Sequence, residues 1–190
     1  MRFTRKGVNF MFIINLYELT NKNLIWGHEN ARNYRNIILK KWNESMDDVL
    51  VMDFKQITMI DFSAASDLIC IPISRLQADL IGKHIIISNA ENEVRENINV
   101  ALDRQELFCI NLLEQDTYEI LGKCSNGLKD IFKVLYEKKK ADSRTLADIL
   151  NTTVQVINNR TTTLYKLGLL KRRMEDAPTG GKQYIYESII

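Results

Sequence analysis

The sequence predicts a mixed α/β protein in two parts, and three observations carry that reading. Up to Leu113, apolar runs of strand length alternate with segments whose apolar residues recur every three or four positions, the pattern of helices layered on a sheet. From Ser143 onward, two short helical patterns joined by a tight turn precede two strand-like runs around a loop with Pro178, Gly180 and Gly181. Charge divides along the chain as well. From Lys123 to the end there are 13 Lys and Arg against 7 Asp and Glu, whereas residues 1–122 hold 13 against 17. A basic C-terminal third on a mildly acidic body suggests nucleic acid as the partner of the basic part.

Asn9 to Leu19 carries Phe10, Phe12, Ile14, Leu16 and Leu19 and predicts a strand. The basic start ahead of it leads into an apolar part too short for a signal peptide, with no small-residue cleavage site after it. From His28, the spacing of Ala31, Tyr34, Ile37, Ile38 and Trp42 predicts a helix. Arg32, Arg35, Lys40 and Lys41 fall on its outer positions and read as a solvated face. Val49 to Phe54, interrupted only by Asp53, predicts a buried strand, and Ile57, Met59 and Ile60 form a second apolar patch.

Asp61-Phe62-Ser63 then opens a helix running to about Leu80, with Leu68, Ile69, Ile73, Leu76 and Leu80 on its core face. Ser63 is positioned to cap it. Pro72 lies inside the pattern and predicts a bend between Leu68 and Pro72, because proline has no N–H to donate. Lys83 to Ser88 is a short strand. Ser88 or Asn89 caps the next helix, whose inner face is Val94, Ile98, Ala101 and Leu102, and Leu107 to Leu113 is a closing strand. Glu114 to Cys124 reads as a polar connector. The expected division is residues 9–114, a linker 115–124, and a second domain 125–190.

Several function classes lack their signatures. There is no glycine-rich phosphate loop, nucleophile elbow or two-histidine motif, so neither a catalytic residue nor a cofactor is expected. Cys70, Cys109 and Cys124 are odd in number and far apart, without metal-ligand or redox spacing, and read as free thiols of a cytoplasmic protein. His28 and His84 stand in no Cys/His cluster, so no metal site is expected. No apolar run approaches the roughly 20 residues of a membrane helix.

The strand Val49–Phe54, the segment Ile57 to Ser63 and the helix behind it resemble the STAS domain of anti-anti-sigma factors. The run Ile85 to Arg95 and the segment Ala101 to Phe108 resemble later parts of the same domain, so the likeness covers roughly residues 9 to 114. In that family a partner kinase phosphorylates the second serine of an Asp-Ser-Ser-Gly motif. By position, the resemblance makes Ser63 the candidate phosphoacceptor, and it implies a kinase or anti-sigma-like protein partner. Phe62 and Ala64 stand where the family has serine and glycine.

In the second part, Leu128, Ile131, Phe132, Leu135 and Tyr136 predict a helix behind Ser125-Asn126, ending in the cations Lys138 to Lys140. Ser143 to Asn151 and Val154 to Leu167 predict two more helices, with Thr153 capping the second. Leu169–Arg173 and Gln183–Tyr186 predict a β-hairpin. Leu146 to Leu150 and Leu164 to Arg173 closely resemble the winged helix-turn-helix domain of bacterial transcription regulators. That resemblance implies duplex DNA as partner, with the second helix of the motif in the major groove, and a homodimer reading paired half-sites.

If Ile157 and Leu164 face inward, Val154, Gln155, Asn158, Asn159 and Thr162 face outward beside Thr153. Asn and Gln suit adenine edges, and Thr suits phosphates or a thymine methyl. Arg160, Lys171, Arg172, Arg173 and Lys182 are the expected phosphate or minor-groove contacts. The expectation is therefore a non-enzymatic, cytoplasmic DNA-binding regulator with an interaction or sensing module. The competing expectation is a partner-switching protein regulated at Ser63 whose winged helix docks onto protein.

Overall fold

The structure, a computed structural model, describes residues 11–113, 117–177 and 180–190. Asn9 and Phe10 of the first expected strand, residues 114–116 at the expected domain boundary, and Pro178 lie outside the described residues. Among the described residues no helix is long and apolar enough to cross a membrane.

The fold is mixed α/β around a sheet that is mostly parallel. Strands β1 (Met11–Asn15), β3 (Val49–Asp53), β5 (His84–Ser88) and β6 (Phe108–Leu112) run parallel, and β7 (Tyr118–Gly122) closes the sheet antiparallel to β6. Their spatial order is β1-β3-β5-β6-β7. Helix α2 (His28–Ser45), a broken helix from Phe62 to Arg75, and α5 (Asn92–Arg104) make the crossovers. With the usual right-handed connections, a sequential strand order puts all three on one face. They do pack on one another there. A two-strand ribbon, β2 (Leu24–Ile25) with β4 (Met59–Ile60), lies beside the α2 entrance.

Strand register sorts the two faces. Leu50 and Met52, Ile85 and Ile87, and Cys109 alternate toward the helices. The opposite face carries Val49, Val51, His84, Ile86, Phe108, Ile110 and Tyr118. Ile86 and Ile110 are fully buried, so this face is covered too. Asp53, the one charge in the β3 run, is a hub at the carboxyl ends of the strands. It accepts from the side chains of Asn15 (3.2 Å), Ser88 (3.3 Å) and Asn89 (2.7 Å) and from the Lys55 amide (3.0 Å).

Several local expectations change. The first strand ends at Asn15, because its side chain accepts from the Glu18 amide and caps α1 (Leu16–Thr20). The expected bend at Pro72 is a π-helical turn. Phe62–Ala65 (α3) is followed by a π turn at Ser66–Cys70, in which the Ile71 amide donates to the Ser66 carbonyl. Pro72 then falls at the start of α4 (Ile71–Arg75) directly behind that turn, and the Asp67 carbonyl five residues before it accepts from Arg35 (3.1 Å) in place of a backbone amide. Helix α4 stops at Arg75, not Leu80. The amides of Ala78, Asp79 and Leu80 converge on the Arg75 carbonyl, while Leu76 stays buried in a turn. Neither Ser88 nor Asn89 caps α5, because both side chains serve Asp53 and Glu91 takes the cap position. The stretch read as a polar connector contains β7, paired antiparallel with β6 and further tied to it by a bond from Asn111 Nδ2 to Glu119 Oε1 (2.8 Å).

The C-terminal part has helices α6 (Asn126–Lys138), α7 (Ser143–Ile149) and α8 (Val154–Lys166) and an antiparallel sheet of β8 (Lys140–Asp142), β10 (Lys182–Ser188) and β9 (Leu170–Asp176). The cationic helix end expected through Lys140 breaks at Lys139, whose φ is +69°, and Lys140 begins β8. Asp142 caps α7 by accepting from the Thr145 amide (2.8 Å), and Thr153 caps α8 as expected (3.3 Å from the Val156 amide). Phe132, Leu135, Leu146, Ile157 and Leu164 are completely buried, each contributing about 1.5–3 kcal/mol in removing apolar surface from water.

This part is seated on the second face of the large sheet, and two contacts mark the seam. Near the start of β5, His84 Nδ1 donates to the Gly168 carbonyl (2.9 Å) between α8 and β9. Diagonally opposite, beside the end of β6, Tyr118 packs edge-on against Phe132 and Tyr136 of α6, with ring centroids 5.1 and 4.7 Å away.

Candidate nucleic-acid interface and contact corner

Helix α8 separates its faces cleanly. Ile157, Thr161 and Leu164 are buried, and the Thr161 hydroxyl donates to the Ile157 carbonyl (2.9 Å), so no polar group is stranded inside. Thr153, Val154, Gln155, Asn158 and Asn159 are exposed, and Thr162 is half-buried beside them. The outward row expected from the sequence is therefore a continuous surface. One of its members is already engaged: Asn158 Oδ1 accepts from the Ser143 hydroxyl, bracing α8 against the start of α7.

The cations fall into distinct environments. The Arg160 guanidinium lies against Gly127 in the first turn of α6, so close that a Cβ on residue 127 would fall 2.5 Å from Cζ. Arg172 is stacked over the Tyr165 ring of α8 (4.0 Å) and the Tyr184 ring of β10 (4.6 Å), which fixes the hairpin to the exposed helix by cation–π contact. Arg173 pairs with Glu175 (2.7 Å) and Glu187 (3.2 Å). Lys171 is half-buried on β9, and Lys182 is exposed at the start of β10. Met174 and Tyr184, cross-strand neighbours, leave an exposed apolar tip on the hairpin.

The Ser63 corner differs from its expectation. Asp61, not Ser63, caps the helix: Asp61 Oδ1 accepts from the Ala64 amide (2.7 Å) and from the Ser63 hydroxyl (3.0 Å). Asp61 Oδ2 accepts from the Gly27 amide (3.0 Å), which ties the α2 entrance to the same carboxylate. Ser63 is half-buried in the first turn.

Behind it the sequence reading missed a charged cluster. Asp67, on the π turn, is 3% exposed. It accepts from His28 Nδ1 through one oxygen and from Arg35 (2.7 Å) through the other. Arg35 also donates to the Asp67 carbonyl (3.1 Å), so it does not belong to a solvated face. The available signals were an acid inside the run Asp67-Leu68-Ile69-Cys70 and a His and Arg seven apart on one helix.

Around this corner four large apolar side chains face outward: Trp26 (65% exposed), Leu24, Met59 and Phe62. Leu24 and Met59 are direct partners across the β2–β4 ribbon, and the Arg104 guanidinium lies over Phe62 (4.7 Å).

The three thiols are free. Burial pushes Cys70 up to about 12, and Cys109 rises for the same reason, with Cys70 nearby adding to it. Both are therefore poor nucleophiles. Cys124 is half-buried and pushed up to about 11. Among the described residues no group of three or more His, Cys, Asp or Glu side chains is placed to hold a metal ion. Compared with models of known protein families and with curated proteins, the chain matches none.

Proposed function

We propose that this chain is a cytoplasmic DNA-binding transcriptional regulator, with residues 125–190 acting as a winged helix-turn-helix domain and the N-terminal part as a STAS-like interaction or sensing module. The observation that carries this reading is the α8 surface. Thr153, Gln155, Asn158 and Asn159 stand exposed in one row, and a hairpin is locked beside that helix through Arg172. Helix α8 is the reading helix in the major groove, and the β9–β10 hairpin is the wing on the adjacent backbone. A homodimer places two such helices on paired half-sites. The chemistry is binding, not catalysis.

A gel-shift salt titration tests it. Binding to duplex DNA should weaken steeply with salt, each neutralised phosphate contributing about 0.9 to the log–log slope. Absence of duplex affinity at low salt would sink the reading.

The second reading is partner switching, with regulation by phosphorylation at Ser63. The exposed Trp26, Leu24, Met59 and Phe62 beside that serine favour it, because exposed apolar clusters of this kind mark contact surfaces. It requires a stable complex with a kinase or anti-sigma-like protein that Trp26→Ser disrupts while leaving the fold intact. A complex indifferent to that change would remove it.

A further inference from the structure

The reading helix does not end in solvent. Its C-terminal amides turn back on the helix, Gly168 donating to the Tyr165 carbonyl (3.0 Å) and Leu169 to the Leu164 carbonyl (2.9 Å). The chain then reverses through Gly168, at φ +72°, into β9. That reversal is pressed against the N-terminal part. A Cβ on residue 168 would fall 2.7 Å from Leu76 Cδ1, 3.2 Å from the Lys83 carbonyl oxygen and 3.6 Å from His84 Cα. A buried hydrogen bond from His84 Nδ1 to the Gly168 carbonyl links the two sides of this seam. A carbonyl only accepts, so the imidazole must carry its proton on Nδ1.

The geometry points to His84 as a positioning residue. Through the Gly168 carbonyl it clamps the corner where α8 ends and the β9–β10 hairpin begins to the amino-terminal end of β5, the central strand of the large sheet, so the placement of the reading helix is set by the N-terminal module. A hydrogen bond supplies what apolar packing at this seam cannot, a direction and a register for the corner. Its partner carbonyl belongs to the residue that joins helix to hairpin, so a displacement of β5 moves both DNA-reading elements together. The charged groups around the imidazole are Asp48 and Lys83 from the N-terminal part and Lys171 from β9. Burial keeps the ring neutral at pH 7 and the two lysines add to it, against the Gly168 carbonyl and Asp48, which favour the cation. This inference rests on the DNA-binding reading for its functional consequence, but the clamp itself can be tested without DNA.

The experiment uses the full chain and two variants, His84→Gln, which keeps a side-chain donor, and His84→Leu, which keeps volume without one. Three measurements are made: 15N NMR of the His84 ring, amide hydrogen exchange at Gly168 and Leu169, and affinity for a fixed DNA duplex at low salt. The wild-type ring should show the neutral Nδ1-protonated tautomer at pH 7. His84→Leu should exchange about tenfold faster at Gly168 and Leu169 while the sheet amides of β3 keep their protection. Its duplex affinity should change severalfold, and His84→Gln should recover most of both effects. An Nε2-protonated ring, or unchanged exchange in His84→Leu, overturns the clamp. Faster exchange with unaltered duplex affinity overturns the positioning role. A wild-type chain without duplex affinity overturns the DNA-binding reading, and the ring and exchange data then decide the clamp alone.

Discussion

Ser63 donates its hydroxyl proton to Asp61 Oδ1, the same oxygen that caps the helix it sits in. The serine therefore supports a cap and is not the cap. Ser63→Ala removes one half-buried hydrogen bond and should cost no more than about 1 kcal/mol in urea unfolding. Asp61→Ala removes the cap and the Gly27 tie together and should cost about 2–3 kcal/mol. Ser63→Glu puts a second carboxylate beside Asp61 and should fall between the two. If Ser63→Ala proved the more damaging, the assignment of the cap to Asp61 would be wrong.

Under the proposed DNA-binding role, the cations of the hairpin should differ in their effect on duplex affinity, although the sequence presents them as one basic run. Arg173 is neutralised by Glu175 and Glu187, whereas Lys182 is exposed. Lys182→Ala should lower the salt slope by about one phosphate's worth, and Arg173→Ala should lower it less. Arg172→Ala should weaken binding and also loosen the hairpin, since its stacking on Tyr165 and Tyr184 is worth about 0.5–2 kcal/mol. Anisotropy titrations at several salt concentrations separate these cases.

Acid should act on the seam between the two parts. Burial lowers His84 from 6.5 to about 4, with Lys171 and Lys83 opposing its cation. A folded-state value below the unfolded one means that the stabilisation is complete above pH 6.5. It is lost as pH falls from there through about 4, and amounts to on the order of 3 kcal/mol. Carboxylates titrate in part of the same window. The measurement is therefore the difference in urea midpoint between wild type and His84→Gln from pH 7 to pH 4. That difference should shrink or reverse on acidification, and a constant difference would contradict the assignment.

Apolar periodicity was legible along most elements whose burial is one-sided or complete, although β7 read as a connector. The runs at Val49, His84 and Phe108, and the helices at His28, Val94 and Ile157, stand where the sequence puts them. What was not legible depends on partners distant in the chain. Asn15 ends a strand by capping a helix, and Ser88 and Asn89 abandon a cap for Asp53, 35 and 36 residues away. Arg35 reads as one cation among several until Asp67 arrives from another helix. His84, a lone histidine in an apolar strand, acquires its meaning from a carbonyl 84 residues downstream. The outward row of α8 was accessible because Ile157 and Leu164 fix the helix phase. The states of Arg160, Arg172 and Arg173 were not, since each is decided by a side chain or backbone that folding brings to it.

The seam also separates two glycines that look alike in sequence. Gly168 and Gly82 both adopt positive φ, +72° and +81°, in turns after helical segments. At Gly82 nothing lies within 4 Å of where a Cβ would be, so Gly82→Ala meets only the backbone penalty of about 1 kcal/mol. At Gly168 the new methyl meets Leu76 Cδ1 at 2.7 Å and the Lys83 carbonyl oxygen at 3.2 Å. Leu76 can rotate, but the carbonyl belongs to the backbone leading into β5 and does not yield without moving His84. Gly168→Ala should therefore cost about 2–4 kcal/mol, the backbone penalty plus overpacking. It should also loosen the His84 bond, which Gly82→Ala leaves alone. Urea unfolding of the two variants side by side, with amide exchange at Leu169, checks both statements. Equal costs would mean that the N-terminal part does not press on the α8–β9 corner.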